Sequence, residues 1–105
     1  MKNSKLHRDI CQIFKAADPE KIIIFGSYAS GNEDPYSDID LIIILKSDKR
    51  FLDRLRDLYQ MWTLDKGVDI FAYTPEEFET MLAEENPFLE KVLDEGEVIY
   101  ERAAA

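Results

Sequence analysis

The sequence predicts an α+β fold in which about four strands pack with helices. Two short runs rich in isoleucine, at 21–25 and 41–45, are typical of buried strands. Elsewhere, apolar residues recur every three or four positions, which is the spacing of an amphipathic helix. The order of elements is helix, strand, strand, helix, strand, helices, strand, with no internal repeat and no linker.

Glycine and proline mark where the first elements end. Asp18-Pro19 closes the first helix, because the residue before a proline avoids helical torsion angles. Gly26-Ser27 closes the first strand and is followed by enough chain for about one helical turn. Strands are predicted at 21–25, 38–45, 68–73 and 97–100.

Capping residues mark the helix starts. Thr74-Pro75-Glu76-Glu77 places threonine at the cap, proline at the first helical position and glutamate at the third. Ser47 is expected to cap another helix, and Asn86-Pro87 restarts a helix that Gly96 stops. Helices are predicted at 4–17, at 48–64, from Thr74 and again from Asn86.

Length and charge limit the classes of function. A chain of 105 residues is expected to form one domain, residues 1–105, with 103–105 as a tail or a cloning remnant. The net charge of −9 argues against a protein that grips duplex nucleic acid through its phosphates. It leaves open a nucleotide that arrives with divalent cations, because a metal changes the local charge balance.

The composition also bears on location and on cysteine chemistry. No apolar run approaches the roughly 20 residues that span a bilayer, and residues 1–8 lack the apolar core of a signal peptide. We therefore expect no membrane association and a cytoplasmic location. A single cysteine and a single histidine exclude an internal disulfide and a histidine-rich metal site.

Three aspartates interrupt the apolar strand patterns. Asp38 and Asp40 alternate with apolar residues, so both point to one face of a strand with their Cα atoms about 6.5 Å apart. Adjacent carboxylates repel each other, and a cation between them relieves that repulsion. Asp69 is a third lone acid in an apolar strand. One such aspartate alone is more often solvated, but the three together favour a site for two metal ions, the usual arrangement for displacement at phosphorus.

The Gly26-Ser27 turn has the features of a phosphate site. A glycine lets the backbone approach a ligand closely, and free amides at a helix start favour an anion. The serine hydroxyl can donate to a phosphate oxygen. Because turns contain many glycines and serines, this pair is a weak signal on its own.

The combined pattern resembles the signature of the DNA polymerase β-like nucleotidyltransferase superfamily: Gly26-Ser27, then ten residues, then Asp38-Ile39-Asp40, then Asp69 on a later strand. The short length and the ending at 96–100 look like the minimal nucleotidyltransferase (MNT) group, whose members are often antitoxins beside HEPN-domain toxins. The resemblance covers nearly the whole chain and implies a single domain with a mixed sheet.

The resemblance also implies roles for the five residues. Gly26 and Ser27 would hold the triphosphate of ATP or another nucleoside triphosphate. Asp38 and Asp40 would bind two Mg²⁺ ions, for which Mn²⁺ is an alternative. Asp69 would bind the catalytic ion and help to activate the attacking hydroxyl. The implied reaction is transfer of AMP to a hydroxyl of a HEPN-type partner protein, with release of pyrophosphate.

One position departs from the family pattern. Members often have a basic residue where this chain has Ser30, in the pattern GSYARG. Arg50, Arg54 and Arg56 are candidates to replace it, although a charged helical face is more often simply solvated. Since all three aspartates are present, the site is interpreted as competent.

Other functions fit the same residues. A non-catalytic antitoxin would neutralise its partner by occlusion, and a chain of this size leaves little room for a separate acceptor-binding domain. A nucleotidyltransferase that acts on a small molecule would need a second subunit. A small domain with a calcium site ranks last, and an EF-hand is excluded because 38–42 lacks the later acidic positions and the sixth-position glycine.

Overall fold

The computed structural model describes residues 3–103, through which a four-stranded sheet runs with helices on both faces. The strands are β1 (Lys21–Phe25), β2 (Ile39–Ile44), β3 (Val68–Tyr73) and β4 (Glu97–Glu101). The helices are α1 (Ser4–Phe14), α2 (Ser27–Ser30), α3 (Phe51–Met61), α4 (Pro75–Ala83) and α5 (Pro87–Glu95), and a 3₁₀ turn, Lys15–Ala17, extends α1. Across residues 3–103, no helix has the length together with the apolar composition that a membrane crossing requires.

The sheet is mixed, in the order β3-β2-β1-β4. Strand β1 pairs antiparallel with β2 and β4, whereas β2 pairs in parallel with β3. A parallel pair needs a crossover connection, which α3 provides. The predicted α+β class with a mixed sheet is confirmed.

Both faces of the sheet are buried, which explains why the isoleucine runs do not alternate with polar residues. One face packs against α1 and α3, with Phe14 and Leu58 from the helices. The other packs against α4 and α5, with Phe78 and Leu89. Strand β2 contributes to both cores: Ile39, Leu41 and Ile43 to the first, and Ile42 and Ile44 to the second.

Several predicted boundaries were wrong: α3 ends at Met61 rather than at 64, β2 ends at Ile44 rather than at 45, β4 ends at Glu101 rather than at 100, and the starts of α3 and β2 also differ. Helix α3 begins at Phe51 rather than at 48, because the Ser47 hydroxyl accepts a hydrogen bond from the amide of Lys49 (3.1 Å) and closes a local turn instead of capping the helix. Strand β2 begins at Ile39, so Asp38 precedes the strand. Of the predicted tail, 103 belongs to no helix or strand, and 104–105 lie outside the described residues.

Side chains of α3 cover the outer edge of β3, an edge strand of the sheet. The Tyr59 hydroxyl accepts a hydrogen bond from the amide of Ile70 (2.9 Å). Nη1 of Arg54 donates to the carbonyl of Ala72 (3.0 Å). These bonds occupy two backbone groups that would otherwise be open to another strand, and they hold β3 beside β2.

Arg54 also joins α3 to the start of α4. Although Arg54 is only 5% exposed, its Nη1 donates to Oε1 of Glu77 (2.8 Å). Glu77 accepts the amide of Thr74 (2.8 Å), and Oγ1 of Thr74 accepts the amide of Glu77 (3.1 Å), which forms the predicted capping box. The backbone hydrogen bond from Thr74, and then the hydrogen bond and charge of Arg54, lower the pKa of Glu77 against an opposing effect of burial.

We predict that Glu77→Gln lowers the free energy of unfolding at neutral pH by about 0.5–1.5 kcal/mol, because the amide oxygen can still accept both hydrogen bonds but lacks the charge that strengthens them. Because folding lowers the pKa of Glu77, its carboxylate stabilises the fold above the pKa of the unfolded chain, and this contribution is lost as the pH falls through the folded-state value. Urea unfolding over a pH series measures the difference, and Glu76→Gln at an exposed neighbour is the control. A difference that persists at acid pH would contradict the prediction.

Candidate active site

Gly26 forms the turn between β1 and α2, where a side chain would not fit. Its torsion angles, φ 72° and ψ −151°, belong to a region that is essentially restricted to glycine. A Cβ at this position would also overlap with Oδ2 of Asp40. The Asp40 carboxylate therefore packs directly against the backbone of the turn, and Ser27 follows as the first residue of α2.

Asp40 and Asp69 lie side by side on neighbouring strands. The parallel register of β2 and β3 sets them opposite each other, so both side chains project from one face, on strands about 4.8 Å apart. Burial is the main cause that raises the pKa of Asp40, followed by the charge and hydrogen bonding of Asp69 and then by the charge of Asp38. The fold thus holds these carboxylates together against their mutual repulsion.

Asp38 lies near this pair but is held differently. It is exposed, and its Oδ1 lies so close to Gly67 that a Cβ there would overlap with it. The amide of Ile39 donates to the Gly67 carbonyl (2.9 Å), which ties the start of β2 to the turn before β3. No spacing in the sequence links Gly67 to Asp38.

The three predicted metal ligands are therefore neighbours without forming a closed site. Among residues 3–103, no group of three acidic, histidine or cysteine side chains stands ready to enclose a metal ion. Their chemistry nevertheless fits a hard divalent cation, since such cations prefer carboxylate oxygens and relieve the repulsion that contributes to the raised pKa of Asp40. The metal-binding and catalytic roles of Asp38, Asp40 and Asp69 stay predictions, as does the nucleotide-binding role of Gly26 and Ser27.

A lysine that has no predicted role lies at the same turn. Nζ of Lys66 is 5.9 Å from the centre of the Tyr28 ring, and Tyr28 directly follows Ser27. The indole nitrogen of Trp62 donates to the Lys66 carbonyl (2.8 Å) and fixes the backbone there. Lys66 thus brings positive charge close to α2, which follows the Gly26 turn, and no spacing in the sequence links it to Tyr28.

The arginines considered as substitutes at Ser30 take other positions. Arg54 is buried, where it forms an ion pair with Glu77 of α4. It also donates to the carbonyl of Ala72, which lies about 10 Å along β3 from Asp69. Arg50 and Arg56 are exposed. The expectation of a solvated face is therefore wrong for Arg54, whose charge serves the packing of α3, β3 and α4.

Comparison with known proteins assigns the family. The family model described as Polymerase beta, Nucleotidyltransferase matches residues 8–105. The chain belongs to this family. Members of the family generally use divalent metal ions.

Three relatives of this chain come from Methanocaldococcus jannaschii, and each is named as a candidate protein adenylyltransferase. MJ1305 is 38% identical over 85 residues, MJ0435 is 32% identical over 74, and MJ0604 is 40% identical over 82. The alignments cover 77%, 70% and 77% of this chain, and 58%, 80% and 78% of the respective relatives. The chain therefore spans less than two thirds of MJ1305.

Solved structures share the fold. A candidate nucleotidyltransferase from Sulfolobus solfataricus has a TM-score of 0.63 at 22% identity, covering 93% of this chain and 79% of that chain. A toxin–antitoxin with AMP-PNP has a TM-score of 0.68 at 21% identity, covering 91% of this chain and 73% of that chain. A mutant of the toxin–antitoxin MntA-HpeT with two aspartates changed to glutamate has a TM-score of 0.63, with the same identity and coverage.

We predict that Asp40→Asn raises the melting temperature when divalent metal is chelated. Because folding raises the pKa of Asp40, its ionised form opposes folding at neutral pH, and the amide removes the repulsion from Asp69 and Asp38. A change of 1 kcal/mol shifts the melting temperature of such a domain by about 4–8 °C, which calorimetry resolves. Asp48→Asn removes the same charge from an exposed loop and should have no effect. Equal melting temperatures for the wild type and Asp40→Asn would rule out the inferred repulsion.

Proposed function

We propose that the protein transfers AMP from ATP to a hydroxyl group of a partner protein, with release of pyrophosphate. The observation that carries the proposal is the pairing of Asp40 with Asp69 beside the Gly26 turn, within a member of a nucleotidyltransferase family. The name of the relatives, protein adenylyltransferase, supports AMP as the transferred group and a protein as the acceptor.

The proposed acceptor is a HEPN-type toxin that the protein neutralises as an antitoxin in the cytoplasm. Two of the structures with this fold are toxin–antitoxin structures, and one of them contains AMP-PNP. The net charge of −9 suits a basic partner, because complementary charge steers association. The acceptor surface would then come from the toxin rather than from a further domain of this chain.

Residues of this chain would bind the nucleotide and move one proton. The Ser27 hydroxyl would donate to the triphosphate, and Gly26 would let its oxygens approach the backbone. Asp69 would accept the proton of the acceptor hydroxyl, whose oxygen forms a bond to the α-phosphorus while the bond to pyrophosphate breaks. Solvent would then take the proton from Asp69.

Asp38, Asp40 and Asp69 would hold the divalent cations, proposed as two Mg²⁺ ions with Mn²⁺ as the alternative. When bound, such ions offset the negative charge on the transferred and leaving phosphates. Three neighbouring carboxylates would otherwise repel a triphosphate. We therefore expect nucleotide binding to this site to require a divalent metal.

We predict that the wild type labels a HEPN-type toxin when the two are incubated with Mg²⁺ and ATP labelled at the α-phosphate. Asp40→Asn and Asp69→Asn should each reduce labelling about 100-fold or more, the usual effect of removing an electrostatic element of a catalytic site. Asp48→Asn, in an exposed loop, is the control with full labelling. Equal labelling by the wild type and Asp40→Asn would show that the assignment is wrong.

The alternatives lead to different results in the same system. Under the proposal, the double variant Asp38→Asn/Asp40→Asn still binds the toxin but no longer protects against it. Protection that survives in the double variant favours a non-catalytic antitoxin that acts by occlusion. Label that enters a small molecule instead of the toxin favours a nucleotidyltransferase with a second subunit.

We predict that Lys66→Met weakens the binding of AMP-PNP and Mg²⁺ roughly tenfold, because a hydrogen bond to a charged group contributes about 1.5 kcal/mol. Lys66→Arg keeps the charge and should retain most of the affinity. Lys46→Met, at an exposed lysine beyond the other end of β2, is the matched control. Isothermal titration calorimetry measures the affinities. Equal affinity for Lys66→Met and Lys46→Met excludes a phosphate contact by Lys66.

A further inference from the structure

We infer that a cavity beside Gly26 binds the base and ribose of the nucleotide, with Phe88 as its aromatic wall. The inference rests on the proposed function, since it concerns the same nucleotide. The cavity has a volume of about 260 Å³ and is lined by Phe25, Gly26, Phe88, Lys91, Val92 and Glu95. Gly26 therefore belongs both to this cavity and to the turn assigned to the triphosphate.

The cavity opens on the face of the sheet that carries the aspartates. Phe25 lies opposite Asp40 in the antiparallel pair of β1 and β2. Directly opposed residues project from the same face with Cβ atoms about 4.5–5.5 Å apart. Asp69 continues the same row on β3. A nucleotide with its phosphates at Asp40 can thus place its nucleoside against Phe25 without crossing the sheet.

The aromatic ring of Phe88 lines the cavity and is held in position by two phenylalanine rings of the sheet. Its ring centre is 5.7 Å from that of Phe25 and 5.2 Å from that of Phe71, both of which belong to the sheet. Phe88 nevertheless remains 36% exposed. A fixed aromatic ring with an accessible surface suits the stacking of a nucleobase.

Lys91 and Glu95 add polar groups to the cavity wall. They are one turn apart on α5 and therefore share a face of that helix. A carboxylate only accepts hydrogen bonds, so Glu95 suits a base with an exocyclic amino group, such as adenine, and not the carbonyl at C4 of uracil. The ammonium of Lys91 can donate to a ring nitrogen or a ribose oxygen. We therefore expect ATP to bind more tightly than UTP.

The test compares AMP-PNP with tripolyphosphate, which lacks the nucleoside, by calorimetric titration in Mg²⁺. Phe88→Leu stays apolar but loses the ring, and it should weaken AMP-PNP binding roughly tenfold while tripolyphosphate binding is unchanged. Phe88→Tyr keeps the ring and should bind both ligands as the wild type does. Leu93→Ala changes an exposed side chain of α5 outside the cavity and is the control. Thermal unfolding checks that each variant is folded.

The outcomes separate this inference from the proposed function. If Phe88→Leu weakens both ligands equally, or neither, the base does not stack on Phe88 and the inference is wrong. If the wild type binds AMP-PNP no more tightly than tripolyphosphate, the cavity is not a nucleoside site, although the triphosphate site stands. If the wild type binds neither ligand, the proposed function fails and the inference fails with it.

Discussion

The parallel pairing of β2 with β3 is the constraint on which the candidate active site depends. Its register sets Ile39 opposite Val68 and therefore Asp40 opposite Asp69. A slip of β3 by one residue would turn Asp69 toward the core formed with α1 and α3, where a carboxylate has no partner. Because side chains alternate along a strand, the same slip would move each apolar side chain of β3 to the other face.

Side chains of α3 bind the outer edge of β3 and help to keep this register, although no further strand in the described part of the chain pairs with that edge. Tyr59 and Arg54 bind backbone groups of β3 from α3, and Arg54 continues to Glu77 at the start of α4. A buried guanidinium is costly to desolvate, and this cost is offset only when its donors find acceptors. Nη1 of Arg54 donates to the Ala72 carbonyl and to the Glu77 carboxylate. The guanidinium, which was expected at the surface, therefore holds α3, β3 and α4 together, and β3 is the strand that carries Asp69.

How much of the structure can be predicted from the sequence depends on how far apart in the chain the contacting residues lie. The strands at 21–25 and 68–73 have their predicted bounds, because each is a β-prone run bounded by local signals. The capping box at Thr74 was visible because its partners lie within one helical turn. The contacts of Lys66 with Tyr28 and of Gly67 with Asp38 join segments that are far apart in the chain, and no local pattern encodes them. The three aspartates were interpretable together as a metal site from their positions in apolar strands, and the family resemblance added a separate role for each of them.

The order of side chains across the sheet suggests how so small a domain could accept a protein substrate. Phe25, Asp40 and Asp69 form one row, with the cavity proposed for the nucleoside at the Phe25 end. Asp40 is partly buried between its neighbours, whereas Asp69 is exposed on the edge strand. In the proposed reaction, the nucleotide would occupy the β1 side and leave the β3 side open to the acceptor. A proton acceptor at the exposed end of the row needs no cleft of its own, because the surface of the bound partner protein would complete the site and exclude water there.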